Sequence, residues 1–260
     1  IQLTRYTKVR AGRNYTLVIF LRNKAANMEG DFLCVKTYNI SFSSGNGHSF
    51  TINGGDIDAV YGDASDGNSA DSNAVYISGD AKVTGTVYGG SSNDGEAYDN
   101  TVIISGGSVS GDVYGGYIDD SGSAYDNEVV ISGSADITNA NLYGRNDKAS
   151  GTGNTLTIDG WSGSTKSVKN FNGISFDNIN WQNGETVLTI TAGAKNDIAN
   201  TEIYLNSIAG GSKIAVGDTM TLIENTNNVN LGIDKNKITV NNNFFAGVAA
   251  EGTGTATVNN

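Results

Sequence analysis

The stretch from His48 to Gly160 repeats itself, and that repeat constrains everything else the chain can be. The frame Asn-x-Val-x-Ile-x-Gly runs from Asn73 to Gly79, Asn100 to Gly106 and Asn127 to Gly133, and with Leu156 for Val from Asn154 to Gly160. An upstream copy runs from His48 to Gly54, with Phe50 in the Val column. Each of the first four copies is followed by a second anchor: Val60-Tyr61-Gly62, Val87-Tyr88-Gly89, Val113-Tyr114-Gly115 and Leu142-Tyr143-Gly144. Read from Ile52 through Ile77, Ile104 and Ile131 to Ile158, the period is 25, 27, 27 and 27 residues. A fixed period of this length marks a repeat architecture.

Within each unit the apolar residues alternate at period 2, as in Val102 and Ile104 or Val129 and Ile131, between clusters of Gly, Ser, Asn and Asp. These are short strands. A unit with two or three such strands and no helical stretch buries its apolar side chains only by stacking on the next copy. The spacing therefore predicts an all-β parallel β-helix with coils of about 27 residues, each one rung of about 4.8 Å. An antiparallel sandwich would want hairpin turns and strands that differ from one another, whereas these copies match column by column.

Stacking also accounts for the constant columns. Gly54, Gly79, Gly106, Gly133 and Gly160 end each strand, where a sharp turn with positive φ costs least as Gly. Asn73, Asn100, Asn127 and Asn154 open it, and stacked Asn side chains form hydrogen-bonded ladders. His48, the sole histidine, occupies the same column and reads as the end of that ladder rather than as a catalytic or metal-binding group.

The chain has 35 Gly, no Pro, one Cys and a formal charge of -11, a polar acidic surface over a thin core. Cys34 has no disulfide partner and reads as a small buried hydrophobe beside Phe32, Leu33 and Val35. No run of 18 apolar residues suits a membrane helix, and Leu17 to Leu21 is too short for a secretory signal, so the chain reads as an excised or processed fragment. Charge is uneven. Residues 1–50 hold seven Lys or Arg (Arg5, Lys8, Arg10, Arg13, Arg22, Lys24, Lys36) against Glu29 and Asp31, net +5, while the other 210 residues carry nine basic and 25 acidic residues, net -16. Residues 1–47 are expected to be an N-terminal cap or irregular first rungs, because the open end of a solenoid has to be covered. Nucleic acid is excluded as a partner, since the acidic body repels phosphate.

Residues 48–160 are then the regular repeats and 161–260 degenerate rungs. Strands are expected at Val187 to Ile190, Thr201 to Leu205, Lys213 to Val216, Thr219 to Ile223 and Lys237 to Val240, with Asn clusters at 225–228 and 241–243 between them. Phe171, Ile174, Phe176, Ile179 and Trp181 would supply larger core side chains where the coil changes shape.

The pairing of Val-Tyr-Gly-Gly with Asn-Thr-Val-Ile-Ile-Ser-Gly-Gly, at 87–90, 100–107 and 113–116, resembles repeats in the passenger domains of bacterial autotransporter (type V secretion) proteins. The stretches 184–190 and 215–223 resemble the part of such passengers that precedes the membrane barrel. The similarity spans about 48–223. It implies a right-handed β-helix displayed extracellularly on a Gram-negative cell surface for adhesion or aggregation. The partners it implies are a host-surface glycan or protein, or further copies of the chain. It also implies anchoring through a barrel that this chain lacks, and 161–260 would include the C-terminal end of the passenger.

Parallel β-helices also carry polysaccharide lyases and hydrolases, which need clustered carboxylates and often Arg or Lys. Here the carboxylates recur in every copy, at Asp63, Asp66, Asp71; Asp94, Glu96, Asp99; Asp119, Asp120 and Asp126, and Arg145 is the one Arg after residue 22. That distribution is one of solvated loops, so no enzyme, catalytic residue or cofactor is assigned. Their irregular spacing matches neither calcium β-rolls nor EF-hands, and no metal site is assigned. The ligand-binding candidates are Tyr61, Tyr88, Tyr114 and Tyr143. If Val60, Val87, Val113 and Leu142 point inward, these rings form an outward column able to stack on sugars or partner aromatics. The alternative is that the rings only stabilise their own sheet. Tyr76, Ile103 and Val130 form a second outward stripe, apolar enough to be covered by another segment or molecule. The combined reading is a non-enzymatic adhesin-like or structural passenger fragment; a β-helix enzyme with one carboxylate cleft, and a passive stalk with no ligand, are the alternatives.

Overall fold

A computed structural model describes residues 47–241 apart from 66–68, 193–197, 211, 213, 215–216 and 228–230, together with short strands at Thr16–Leu17, Asn39–Ile40 and Thr255–Val258. It is a parallel β-helix. The first wall is a nine-stranded sheet built from Ser49–Ile52, Ala74–Ile77, Thr101–Ile104, Glu128–Ser132, Thr155–Asp159, Gly173–Asp177, Glu202–Leu205 and Ile238–Val240, with Thr16–Leu17 at its lower edge. Ile52, Ile77, Ile104, Ile131 and Ile158 are register partners in turn, so the sequence period is the height of one rung. Alternation puts Val75, Val102, Val129 and Leu156 inside beside them, all fully buried. Each such side chain contributes about 1.5–3 kcal/mol of burial.

The second wall stacks Ala59–Tyr61, Val87–Ser92, Asp112–Ile118, Asn141–Arg145 and Ser167–Lys169 above Asn39–Ile40. A third, shorter wall holds Ala70–Asp71, Glu96–Tyr98 and Ser123–Tyr125, and a narrow fourth holds Asp56–Ile57, Lys82–Val83 and Ser108–Val109. Of residues 1–47, the two described strands pair in parallel with Ser49–Ile52 and Ala59–Tyr61; Cys34, the basic residues and the remainder of Leu17 to Leu21 lie outside the described residues.

Between the walls runs the Asn ladder. Asn73 Nδ2 donates to Asn100 Oδ1, Asn100 Nδ2 to Asn127 Oδ1 and Asn127 Nδ2 to Asn154 Oδ1, each at 2.9 Å. Each acceptor also takes the backbone N–H of the Asn below. The second amide hydrogen goes to the carbonyl of Ala70, Ala97 or Ala124. In Asn100 and Asn127 both donors and both lone pairs are thus used, which is why those amides sit buried without penalty. His48 ends the ladder through its backbone, its N–H donating to Asn73 Oδ1 at 3.0 Å. At the top Asn172 accepts from the Asn154 N–H, and one coil higher Thr201 donates to the Phe171 carbonyl.

The Gly-Gly pair of the second wall makes room for this ladder. A Cβ on Gly90 would stand 2.5 Å from Asn100 Nδ2, and one on Gly116 2.6 Å from Asn127 Nδ2. One turn position differs from the sequence expectation. Gly79, Gly133 and Gly160 do carry positive φ, but in the Gly-Gly copy the left-handed residue is Gly107 rather than Gly106. A further left-handed column, Ser72, Asp99, Asp126 and Gly153, precedes each Asn; Asp tolerates this conformation through local hydrogen bonding.

Above Gly160 the coil changes. Thr155 pairs with Gly173, a coil of 18 residues, shorter than the expected continuation. Only residues 170–172 separate Ser167–Lys169 from Gly173–Asp177, so the third wall ends. Arg145 closes its open edge, donating through Nε to the Gly151 carbonyl and through Nη1 to those of Asn146 and Ala149. Higher coils use a new wall of Gly163–Thr165, Thr186–Ile190, Thr219–Asn225 and Thr255–Val258. Phe171, Ile174, Phe176, Ile179 and Trp181 are all buried at this transition. Strands at Thr186–Ile190, Glu202–Leu205, Thr219–Asn225 and Ile238–Val240 match the expected ones; of Lys213 to Val216 only Ile214 lies among the described residues.

Replacing Asn127 by Ala strips the acceptor from the Asn100 amide and N–H, and the donors from the Ala97 carbonyl and Asn154 Oδ1. At about 1–3 kcal/mol for each orphaned buried group, Asn127→Ala should cost about 3 kcal/mol or more in denaturant unfolding. Asp120→Asn, on an exposed turn, should shift the same measurement by under about 0.5 kcal/mol.

Candidate functional site

The second wall sets Val60, Val87, Val113 and Leu142 inward and fully buried, so Tyr61, Tyr88, Tyr114 and Tyr143 point outward as register partners. Their rings stack at centroid separations of 4.7, 5.6 and 4.6 Å, within 19° of parallel. Coplanar rings cannot approach so closely, so the faces of Tyr88 and Tyr114 are covered by their neighbours. Lys169, the next residue in the column, places its Nζ 5.8 Å from the Tyr143 centroid, a cation–π contact at the ladder's end.

Tyr117 adds a fifth ring. It meets Tyr88 and Tyr114 edge-on, at 5.1 and 5.2 Å and 74° to each. The sequence reading passed it over because it departs from the repeat: its register partner is Ser91, which in turn pairs with Ala64. A second tyrosine stack was also missed. Tyr98 and Tyr125 pair on the third wall, 5.0 Å apart and 1° from parallel, and the Tyr125 hydroxyl donates to Glu96 Oε2 at 3.2 Å.

A polar column runs beside the main ladder. Asn141 Nδ2 donates to Asp112 Oδ1 at 2.8 Å, and Ser167 Oγ to Asn141 Oδ1 at 2.7 Å. The Tyr114 hydroxyl reaches Asp112 Oδ2 at 3.4 Å. Burial, and after it Asp112, raises the Tyr114 and Tyr143 phenols above the ordinary tyrosine range, Tyr114 well above it. Burial chiefly raises Tyr88 too, opposed by its hydrogen bond with Thr86. With covered faces, the interior rungs offer a partner ring edges and oxygen atoms, not flat stacking surfaces. Sugar stacking on them is therefore restricted to the ladder's ends.

The acidic residues do not share one setting. Asp94, Glu96, Asp99, Asp119, Asp120 and Asp126 are exposed and Asp71 half-buried. Asp63, expected in a solvated loop, is fully buried. It stands in the column of Gly90, Gly116 and Arg145, because Ala64, the next residue, pairs with Ser91. Asp66 lies outside the described residues. Among the described residues no three His, Cys, Asp or Glu side chains come together to hold a metal ion.

The outward stripe of the first wall is in register as Thr51, Tyr76, Ile103, Val130 and Thr157. Tyr76 is 37% exposed, and Ile103 and Val130 are half-buried. Over the lower coils the other outward residues are Ser49, Ala74 and Thr101, none charged. Charge enters the wall's outer face at Glu128 and rises with Asp159, Asp177 and Glu202. Desolvation, then Asp159 and Glu128, pushes the Asp177 carboxyl up against the opposing bond with Asn206.

A scan against family models and searches of curated proteins and of solved structures each found no match to this chain.

Raised phenol pKa values fix a sign for pH dependence. The folded chain keeps the protons of Tyr88, Tyr114 and Tyr143 that the unfolded chain releases near pH 10, so their contribution is complete below that value and is lost as pH rises through the folded values. Phenolate absorbance during an alkaline titration should show a group of tyrosines ionising only as the fold melts. Tyr114→Phe should remove one of them.

Proposed function

We propose that this chain is a fragment of an extracellular, surface-displayed passenger with no catalytic role, which presents a long repetitive face for adhesion or aggregation. The observation that carries the proposal is the lower first wall, where Ser49, Thr51, Ala74, Tyr76, Thr101 and Ile103 form an uncharged outward strip on a body whose residues 51–260 carry net -16. Like-charged surfaces repel, so a second copy docks most readily where charge is missing and apolar side chains are available. The strip is also periodic, which lets identical faces meet in a self-complementary way. The resemblance of the 87–116 repeats to autotransporter passengers supports the same reading, with a parent protein at a Gram-negative surface.

A host-surface glycan or protein is the second partner class, and the tyrosine ladder with its polar column is where it would bind, through hydroxyls and ring edges. Beads coated with the full chain should cluster and should adhere to cultured cells or arrayed glycans. Ile103→Asp combined with Tyr76→Asp should abolish clustering while circular dichroism is unchanged. Absence of both clustering and adhesion for the wild-type chain would leave a passive stalk.

A further inference from the structure

The stacked tyrosines have one property that neither self-association nor glycan binding uses. Two phenols on consecutive rungs are held face to face, and one of each pair meets a carboxylate. Tyr114 and Tyr143 lie 4.6 Å apart and 12° from parallel, with the Tyr114 hydroxyl 3.4 Å from Asp112 Oδ2. Tyr98 and Tyr125 lie 5.0 Å apart, with the Tyr125 hydroxyl on Glu96 Oε2. Removing one electron from a phenol makes its proton strongly acidic, so oxidation is easiest where a base already stands at the oxygen. Holding the reacting rings together supplies the proximity that coupling otherwise lacks.

We propose that these stacks are oxidative modification sites, at which a peroxidase-type oxidant with hydrogen peroxide joins Tyr114 to Tyr143, and Tyr98 to Tyr125, as dityrosines between consecutive rungs. Each phenol gives up one electron to the oxidant and one proton; Asp112 takes the proton of Tyr114 and Glu96 that of Tyr125, and those of Tyr143 and Tyr98 pass to water. The two phenoxyl radicals form a carbon–carbon bond between ortho positions, and the ring hydrogens at those carbons shift to oxygen to restore both phenols. The chain loses two hydrogens per link, and one peroxide, taking two electrons and two protons, becomes two waters. The link would tie rung to rung across a solenoid that has one Cys and so no disulfide of its own. The proposal does not depend on the adhesive reading.

The test treats the full chain with a haem peroxidase and limiting hydrogen peroxide, then reads dityrosine fluorescence and maps the links by mass spectrometry. Glu128 lies between Tyr114 and Tyr143, so cleavage after glutamate turns their link into two joined peptides lacking two hydrogens. That species should form within single chains, vanish in Tyr143→Phe, and form several-fold more slowly in Asp112→Asn, which keeps an acceptor for Asn141 but is a far weaker base. Thermal unfolding of the linked chain should shift upward. Links found only between chains or at other tyrosines, or an unchanged rate in Asp112→Asn, would overturn the proposal.

Discussion

The buried Asn ladder is the interaction on which the rest of the structure depends. Hydrophobic burial drives the coils together but is nearly indifferent between registers two residues apart, because such a slip keeps the same apolar face inward. The amides are not indifferent. Each of Asn100, Asn127 and Asn154 makes two acceptances and one donation that close only when the coil below presents its own Asn and its own Ala carbonyl at the matching height. A slip leaves several buried polar groups unpaired at once. The ladder therefore sets the rung, and the rung sets the tyrosine stacks and the outward strip.

Much of this was legible because a solenoid writes its geometry as columns. The Ile column gave the rung height, the Asn column its polar spine, and Val-Tyr-Gly the orientation of the ladder rings, each confirmed by residue pairing. What was not legible depends on contacts between different columns. Gly90 and Gly116 are small because an Asn from the same coil lies against them, a relation no spacing rule exposes. The positive φ of Asp99 and Asp126 made two apparent surface acids into turn residues. The 18-residue coil, the loss of the third wall and the use of Arg145 as its edge cap follow from a local shortening, which in sequence looked only like a fading repeat. Tyr117 was hidden for the opposite reason, being a single exception within a regular block.

Surface chemistry divides along the same lines. The tyrosine ladder is largely satisfied within the protein, its faces stacked, its end covered by Lys169 and its oxygens beside Thr86, Asp112 and Ser167. This weights its role toward holding the second wall, and limits what a partner can reach to edges and oxygens. The lower first wall has the reverse character, with half-apolar side chains that nothing in the described residues covers and no charge to keep another surface away. An edge left by the ending third wall would be a site for strand addition, and Arg145 occupies its carbonyls instead. In the proposed adhesive role, this would favour contacts through faces over strand addition at edges.

Excision of one whole rung separates register from length. Deleting residues 101–127 joins Asn100 to Glu128, leaving the Asn column in step with one coil fewer, whereas deleting 101–114 removes about half a coil and throws every column out of register. With in-register stacking, the first deletion keeps the β-sheet circular dichroism and a cooperative unfolding transition, and the second loses both. Equal behaviour of the two deletions, whether both fold or both fail, would contradict in-register stacking as the basis of the fold.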